Sequence, residues 1–225
     1  MLSIIIPTYQ AAIPLGRTLT PLQSIGENDH LEIIVSDGGS SDATIRIARA
    51  FGVRTIDSSK GRGKQLQAGA DAAHEEWMLF LHADTQLESN WWQEVHKFIT
   101  NKGNLYHAAY FLFSLDDSNP QARRIEKAVD WRCQMLGLPY GDQGLLISRA
   151  FYDYLGGFHD FPLMEDVDFI RRIGSHRLHC LPVNATTSAD RYRRDGYIKR
   201  PFKNLCCLGL YYLGVSPETI VKIYQ

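Results

Sequence analysis

Short apolar runs alternate with amphipathic stretches through the first 84 residues of the chain. The apolar runs, rich in residues that favour strands, cover residues 2–6, 31–35, 53–56 and 77–81. The helical stretches lie near residues 14–26, 42–51 and 62–74. This alternation is the pattern of repeated βαβ units, and it predicts an α/β fold in which helices flank a doubly wound, mostly parallel sheet.

The pattern becomes less regular after Asp84. It predicts a helix near 89–101, a strand near 105–115, a helix near 121–136 and a glycine-punctuated stretch over 137–157. With 225 residues and 44% hydrophobic content, the chain is long enough for one large core and short for two. We therefore predict one domain over residues 1–225.

The last part of the chain, from Tyr197 to Gln225, mixes basic and apolar residues. The basic residues are Lys199, Arg200, Lys203 and Lys222. The large apolar residues are Phe202, Leu205, Leu208, Leu210, Tyr211, Tyr212 and Leu213. This composition fits two structures: a helix that lies on a membrane surface, or a terminal helix packed on the sheet with its basic ends in water.

Charge and cysteine usage narrow the class of protein. A formal charge of −1 and a pI near 6.7 give no general attraction to nucleic acid, so phosphate groups would be bound by local basic residues. The four cysteines show neither a C-x-x-C pair nor a zinc-ligand spacing, which favours reduced thiols in a cytoplasmic protein. Residues 1–7 are typical of a first strand rather than a signal peptide, and no apolar run reaches the roughly 18 residues of a membrane span.

Two aspartates follow apolar strands at the sheet edge where open α/β folds bind ligands. Asp37 precedes two glycines and suits either a ribose hydroxyl or base N–H, or an Asx turn. Asp84 suits Mg²⁺ or Mn²⁺, with His82 on the same side of the strand. The structural alternatives are a helix cap for Asp84 and a hydrogen-bonded buried imidazole for His82. Two such carboxylates suggest a nucleotide with its metal.

Residues 61–66, Gly-Arg-Gly-Lys-Gln-Leu, are similar to a dinucleotide-binding fingerprint but differ from it in two ways. Leu66 stands where the third glycine is needed, and the segment follows the third strand rather than the first. A Rossmann dehydrogenase is therefore excluded. Backbone amides at a helix start beside Arg62 and Lys64 still favour a phosphate, with a merely solvated basic helix start as the alternative.

Three acidic residues, Glu165, Asp166 and Asp168, precede the helical run at 169–173. Favourable capping of a helix explains one or two of them. Adjacent carboxylates in a cleft raise one another's pKa, which suits a general base that takes a proton from a hydroxyl. The basic residues of the segment 191–194, in a predicted loop, suit either a diphosphate or an exposed arginine-rich turn.

Four of these segments, spread over most of the chain, carry the pattern of a known family. They are Ile4–Tyr9, Val35–Asp42, His82–Asp84 and Glu165–Asp166. They resemble, in that order, the opening strand and nucleotide loop, the D-G-S-x-D turn, the D-x-D metal motif and the E-D base motif of the family 2 glycosyltransferases, which have the GT-A fold. The resemblance implies transfer of a sugar from a nucleotide-sugar donor to an acceptor hydroxyl, with inversion at the anomeric carbon.

A narrower resemblance rests on four short sequences. They are Leu81–Thr85, Gly141–Gln143, Pro162–Asp166 and Leu213–Pro217. These are similar to a bacterial subgroup described as arsenosugar-biosynthesis-type glycosyltransferases. Each sequence alone is weak, and their combination is specific.

The resemblance implies a role for each matching residue. Asp166 is the expected general base, and Glu165 is expected to orient the base or a sugar hydroxyl. Asp84 and His82 are the expected ligands of Mg²⁺ or Mn²⁺. The expected sugar or acceptor contacts are Asp142 and Gln143. The expected nucleotide and donor contacts, which include the basic helix start, are Pro7, Thr8, Tyr9, Asp37, Arg62, Lys64, Gln65, Arg193 and Arg194.

The chain departs from the family pattern at several points. His82 replaces the first Asp of the D-x-D motif, which leaves Asp84 as the main protein ligand of the metal. Gln10 and Ala12 replace the usual Asn and Glu after the first strand, which leaves both UDP and GDP open as the nucleotide of the donor. Of the two, the resemblance favours a UDP-sugar. The Q-x-x-R-W motif of processive relatives is absent, which predicts transfer of a single sugar.

Two other functions share part of this pattern. A sugar-phosphate nucleotidyltransferase needs a Gly- and Arg-rich loop after the first strand, and residues 7–10 do not supply it. A non-catalytic nucleotide-sugar-binding protein would bind donor without turnover, and the acidic residues at 165–168 argue against it. We therefore expect a nucleotide-binding half at about residues 1–100 and an acceptor-side half at about 101–225, with membrane contact through the C-terminal segment as one further interaction.

Overall fold

An eight-stranded sheet organises the chain. The computed structural model describes residues 1–23 and 31–224. The strands are β1 (Leu2–Thr8), β2 (Leu31–Asp37), β3 (Arg54–Asp57), β4 (Trp77–Phe80), β5 (Thr85–Leu87), β6 (Ala108–Leu115), β7 (Leu145–Ser148) and β8 (Leu178–Thr187). The helices are α1 (Ala12–Leu22), α2 (Thr44–Ala50), α3 (Arg62–Ala72), α4 (Trp91–Thr100), α5 (Pro120–Leu136), α6 (Arg149–Tyr154), α7 (Glu165–Ile173), α8 (Asp190–Asp195), α9 (Lys199–Tyr212) and α10 (Pro217–Tyr224).

The sheet is parallel in its first half and mixed in its second. Its strand order is β3-β2-β1-β4-β7-β6-β8-β5. Strands β1 to β4 pair in parallel, as the βαβ rhythm predicts, whereas β7 runs antiparallel to both β4 and β6. The α/β fold class is confirmed. The mixed second half follows from the end of the βαβ rhythm after β4, since parallel pairing needs crossover connections.

Strand β1 lies at the centre of two apolar layers. Ile4 and Ile6 pack on the side of α1 and α4, and Ile5 packs on the side of α3. A Cβ on Gly69 would lie 2.2 Å from Cγ2 of Ile5, so the backbone of α3 rests directly on the strand. Burial on both faces explains why the first strands are continuous apolar runs rather than alternating ones.

Several predicted boundaries differ from those in the structure. The helix predicted near 14–26 begins at Ala12, and its residues 24–26 lie outside the described residues. Helix α7 begins at Glu165, so the three acidic residues form its first turn instead of preceding it. Residues 191–194 belong to α8 rather than to a loop. Helix α2 is preceded by an Asx-type contact, in which Oδ1 of Asp42 accepts a hydrogen bond from Thr44 N at 3.0 Å.

The C-terminal helices pack on the start of α7 rather than on the sheet. Their shared cluster of buried residues is Leu163, Met164, Val167, Cys207, Leu208 and Ile220. The prediction of a terminal helix on the sheet is therefore wrong about its partner, because these apolar residues meet those that lead into α7. Across the described residues, no helix combines the length and apolar character of a membrane span.

Candidate active site

A pocket of about 160 Å³ lies between the residues that follow β4, the start of α7 and the C-terminal helices. Predicted site residues that line it are Arg62, His82, Asp84, Asp142 and Asp166. They come from four separate parts of the chain, and the fold brings them together around one volume.

Asp166 is held rigidly at the N-terminal turn of α7. Its Oδ2 accepts a hydrogen bond from Gly141 N at 2.9 Å, and its Oδ1 accepts one from Val167 N at 2.8 Å. A carboxylate offers about four lone pairs, so each oxygen can still accept a proton or a further hydrogen bond. The residue two positions earlier, Met164, has a φ of 69°, a left-handed conformation that is rare for a side-chain-bearing residue and is found most often at functional sites.

Glu165 is fully buried behind Asp166 and faces Arg62. The Nε of Arg62 lies 2.5 Å from Oε1 of Glu165, an ion pair by distance, although neither carboxylate oxygen has a partner with hydrogen-bond geometry among the described residues. Burial raises the pKa of Glu165 to about 7, Arg62 opposes that shift, and Asp166 adds to it. The charge of Glu165 raises the pKa of Arg62 above its ordinary value. Glu165 therefore fixes the position of Arg62 at the start of α3, beside the pocket.

The raised pKa of Glu165 predicts a stability that falls with pH. The folded state holds the Glu165 proton up to about pH 7, and the ordinary value of 4.5 applies when the chain unfolds. Between these values the folded state binds more protons, so the free energy of unfolding decreases as pH rises from about 4.5 through about 7. Urea unfolding of the native protein and Glu165→Gln at several pH values checks this, because the slope should be shallower in the variant. Equal slopes would contradict it.

Asp142 and His82 complete the polar wall of the pocket. Oδ1 of Asp142 is buried with no hydrogen-bond partner among the described residues. Burial raises the pKa of Asp142 to about 6, with Asp166 and Asp84 adding to the shift and Arg132 opposing it. Burial, together with the charge of Arg62, lowers the pKa of His82 to about 3, so its imidazole is neutral at physiological pH.

The side chains near Asp84 can hold a divalent cation only if a bound ligand supplies part of its coordination shell. In residues 1–23 and 31–224, no group of three or more His, Cys, Asp or Glu side chains is placed to hold a metal ion. Mg²⁺ commonly takes one or two carboxylates and completes its shell with substrate phosphates and water. Asp84 and the neutral imidazole of His82, which both line the pocket, fit that mode.

Gly141 lies against both Asp166 and His82, where a side chain would not fit. A Cβ at this position would lie 2.7 Å from Nε2 of His82 and 3.4 Å from Oδ2 of Asp166. We predict that Gly141→Ala displaces one or both side chains. On the roles that the family resemblance implies for Asp166 and His82, it lowers kcat by about tenfold or more, because small displacements of reacting groups are costly. Steady-state kinetics measures kcat, and a melting curve checks that the variant is folded. The matched control is Gly16→Ala, whose Cβ would make only ordinary contacts at 3.9 Å; an equal loss in both variants would contradict the prediction.

The predicted nucleotide contacts near β1 and β2 lie at the sheet edge outside this pocket. Asp37 accepts hydrogen bonds from Thr8 Oγ1 at 2.7 Å, Ser40 Oγ at 2.6 Å, and the backbone N–H groups of Ser40 at 2.7 Å and Gly39 at 3.0 Å. Burial alone would raise the pKa of Asp37, but these hydrogen bonds lower it below its ordinary value. Asp37 therefore forms an Asx turn, which is one of the two structures predicted for it from the sequence. Pro7 and Thr8 end β1 beside it.

The side-chain amide of Gln65 is also used in hydrogen bonds within the fold. Its Nε2 donates to the carbonyl oxygens of Thr8 at 2.5 Å and Ser36 at 3.1 Å. Tyr9, in contrast, is 44% exposed and lies under the ammonium of Lys60, 3.9 Å from the ring centroid. Lys64 is exposed and lies 3.4 Å from Asp160. Of these three residues, Tyr9 and Lys64 have surface exposed to a ligand, whereas Gln65 is buried.

Three further predicted contacts do not line the pocket. The side chain of Gln143 is buried and used within the fold: its amide nitrogen donates to Phe111 O, and its oxygen accepts from Arg132, Cys133 and Tyr140. Arg193 is bound to the acidic residues Asp116, Asp117 and Asp190. Arg194 pairs with its neighbour Asp195 and is 74% exposed.

Arg191 and Arg200 line the pocket instead. The basic segment 191–194 was predicted as a candidate, but Arg193 and Arg194 were selected from it, and Arg200 was not selected. Arg200 is held by Asp195 Oδ2 at 2.8 Å and Tyr224 OH at 3.0 Å, while Arg191 is exposed. A helix predicted over residues 190–195 would have distinguished Arg191 from Arg193, because residues two apart on a helix point to different sides.

The family model described as "Glycosyl transferase family 2" matches residues 3–153. The chain belongs to this family. The match covers β1 to β7 and the pocket residues Arg62, His82, Asp84 and Asp142, and it ends before Asp166.

Curated relatives share part of the chain. "PGL/p-HBAD biosynthesis glycosyltransferase" of Mycobacterium tuberculosis (strain ATCC 25177 / H37Ra) is 38% identical over 96 residues, which are 39% of this chain and 36% of the relative. A protein of the same description from Mycobacterium bovis (strain BCG / Pasteur 1173P2) gives the same values. The chain thus spans about a third of the length of these relatives. Their names do not support the arsenosugar subgroup.

Solved structures of other glycosyltransferases share the fold. S. aureus TarS 1–349 in complex with UDP-GlcNAc has a TM-score of 0.64 at 17% identity, over 83% of this chain and 58% of that one. Mannosyltransferase PcManGT from Pyrobaculum calidifontis, in complex with GDP-Man and Mn²⁺, has a TM-score of 0.65 at 16% identity, over 90% and 59%. The family member described here therefore has the predicted GT-A fold.

Proposed function

We propose that this family 2 glycosyltransferase transfers a single sugar from a nucleotide-sugar donor, with UDP-sugars favoured, to an acceptor hydroxyl with inversion. The observation that carries the proposal is the shared pocket of Asp166, Asp84, His82 and Arg62. It is the arrangement that an in-line displacement needs: a carboxylate for the attacking hydroxyl and basic groups for the leaving diphosphate. Donors bound to structural relatives, UDP-GlcNAc and GDP-Man, belong to the proposed substrate class.

In the proposed reaction, Asp166 takes the proton of the acceptor hydroxyl. The acceptor oxygen forms a bond to the anomeric carbon as the bond between that carbon and the phosphate oxygen breaks. The diphosphate leaves with the electron pair. The hydrogen bonds from Gly141 N and Val167 N keep the carboxylate of Asp166 in one orientation, so little reorganisation is needed.

Charge on the leaving diphosphate would be met from two sides of the pocket. Arg191 and Arg200 line it from the C-terminal helices, and Arg62 lines it from the start of α3. Asp84 with His82 would hold Mg²⁺ or Mn²⁺, which when bound neutralises part of the diphosphate charge. Mn²⁺ in the complex of PcManGT with GDP-Man agrees with this choice of cation.

The pocket is too small for a whole nucleotide sugar. Its volume of about 160 Å³ is below the roughly 300–1,000 Å³ of typical small-molecule sites. We place the sugar and diphosphate in the pocket and the nucleoside at the sheet edge, where the ring of Tyr9 is exposed. Asp142, with its unpartnered oxygen, would accept a hydrogen bond from a sugar hydroxyl.

Thermal stabilisation by nucleotides tests the donor assignment. Native protein, Asp84→Asn and the exposed control Asp153→Asn are each melted with UDP, GDP and their common sugar conjugates, with and without Mn²⁺. The proposal predicts a Mn²⁺-dependent rise in melting temperature with UDP compounds that is lost only in Asp84→Asn. The absence of any shift for native protein would overturn it.

A further inference from the structure

The outer side of α9 carries a line of apolar side chains that the described part of the chain leaves in solvent. The line, termed the α9 stripe, consists of Ile198, Phe202, Leu205, Tyr212 and Leu213, with exposed fractions of 78, 66, 62, 49 and 83%. Successive steps of four, three, seven and one residue keep these side chains on one side of α9 and of the two residues that flank it, Ile198 and Leu213. Single exposed apolar residues are ordinary, but a contiguous line of large ones marks an interaction surface.

The stripe is not needed to hold α9 in place. Cys207 and Leu208, on the opposite side of the helix, are buried against the residues that lead into α7. Arg200 and Asn204 on that inner side line the pocket. The helix is therefore anchored by one side and presents its apolar residues on the other.

Charge is distributed unevenly along the chain and favours an anionic partner. Residues 190–224 contain seven Lys and Arg against three Asp and Glu, whereas the rest of the chain contains 17 against 22. Arg193, Arg194 and Arg200 pair with acidic side chains and Arg191 lines the pocket, so the lysines carry the positive charge available to a partner. Lys199 lies at the start of α9, and Lys222 lies on α10; both are exposed. A second copy of the same basic segment would be repelled, so self-association through the stripe is disfavoured.

We propose that the α9 stripe docks on a lipid bilayer that contains anionic lipid. Phe202, Leu205 and Tyr212 would enter the boundary between headgroups and acyl chains, and the lysines would face the headgroups. The pocket would then lie about one helix diameter, roughly 10 Å, from the lipid. That an acceptor is presented from the bilayer follows only if the proposed sugar transfer is correct, whereas docking does not depend on it.

Vesicle sedimentation tests the docking without any reaction. The native protein is mixed with vesicles of phosphatidylcholine alone or with about 30% phosphatidylglycerol. We expect binding to the anionic vesicles, a partition coefficient at least tenfold lower for Phe202→Glu/Leu205→Glu, and a decrease of about fivefold for each of Lys199→Gln and Lys222→Gln.

The matched control is Ile13→Glu/Met135→Glu, which places the same charges at two other exposed apolar positions, 83% and 66% exposed. The docking proposal requires this control to bind like native protein and all variants to keep native melting temperatures. Equal binding to neutral and anionic vesicles, equal loss in both double variants, or no binding would overturn it. So would a dimer, seen by sedimentation equilibrium, that only Phe202→Glu/Leu205→Glu dissociates.

Discussion

Asp166→Asn is expected to lower kcat by about 10²–10⁴ while leaving donor binding and folding close to native, since general base catalysis contributes a factor of that size. The amide keeps the shape of the carboxylate, and its single oxygen can still accept the hydrogen bond from Gly141 N. It loses the hydrogen bond from Val167 N and takes no proton from the acceptor. Stopped assays of nucleoside diphosphate release give kcat, and calorimetry with the donor gives Kd.

The control for Asp166→Asn is Asp153→Asn, which removes a carboxylate from an exposed position on α6. The account requires native kcat for this variant. A loss of donor affinity in Asp166→Asn as large as its loss of kcat would assign Asp166 to ground-state binding and would contradict its role as a base.

Arg62→Met is expected to destabilise the fold by about 2–3 kcal/mol. Removing one partner of a fully buried ion pair costs about 3–5 kcal/mol, and the smaller figure applies because the Arg62 side chain is 36% exposed while Glu165 is fully buried. Methionine keeps the length of the apolar stem and removes the charge. Urea unfolding at pH 8, where Glu165 is ionised in the native protein, measures the change.

The double variant Arg62→Met/Glu165→Gln separates loss of the ion pair from loss of packing. With no carboxylate left to bury, the double variant should recover about half or more of the stability lost in Arg62→Met. A cost in the double variant equal to the sum of the two single costs would show that the two side chains are not coupled.

The sequence predicted the parts of the fold that follow from local periodicity. Strands β1 to β4 were expected at 2–6, 31–35, 53–56 and 77–81, and each lies within two residues of those bounds. Continuous apolar runs are a strong signal because β1 is buried on both faces. The second half was less predictable, since the antiparallel placement of β7 between β4 and β6 depends on contacts distant in sequence.

The candidate site was predictable where a side chain follows a strand or lies in the first turn of a helix. Asp84 follows β4 and Asp166 lies in the first turn of α7, and both line the pocket. Gln65 and Gln143 could not be judged from sequence, because carbonyl groups distant in sequence, Ser36 O and Phe111 O, use their amides. Arg191 and Arg193 could not be distinguished from sequence, because a predicted loop over 191–194 carries no helical spacing, whereas these residues lie in α8.

Time-resolved proton NMR distinguishes inverting sugar transfer, with Asp166 as the base, from retention of configuration and from donor binding without transfer. Native protein and Asp166→Asn are incubated with Mn²⁺ and the α-linked nucleotide sugar that gives the largest thermal shift, with water as a slow acceptor. The account predicts that native protein releases the β-anomer before mutarotation and that Asp166→Asn releases at least a hundredfold less. Release of the α-anomer, or donor binding by native protein without any release, would contradict it.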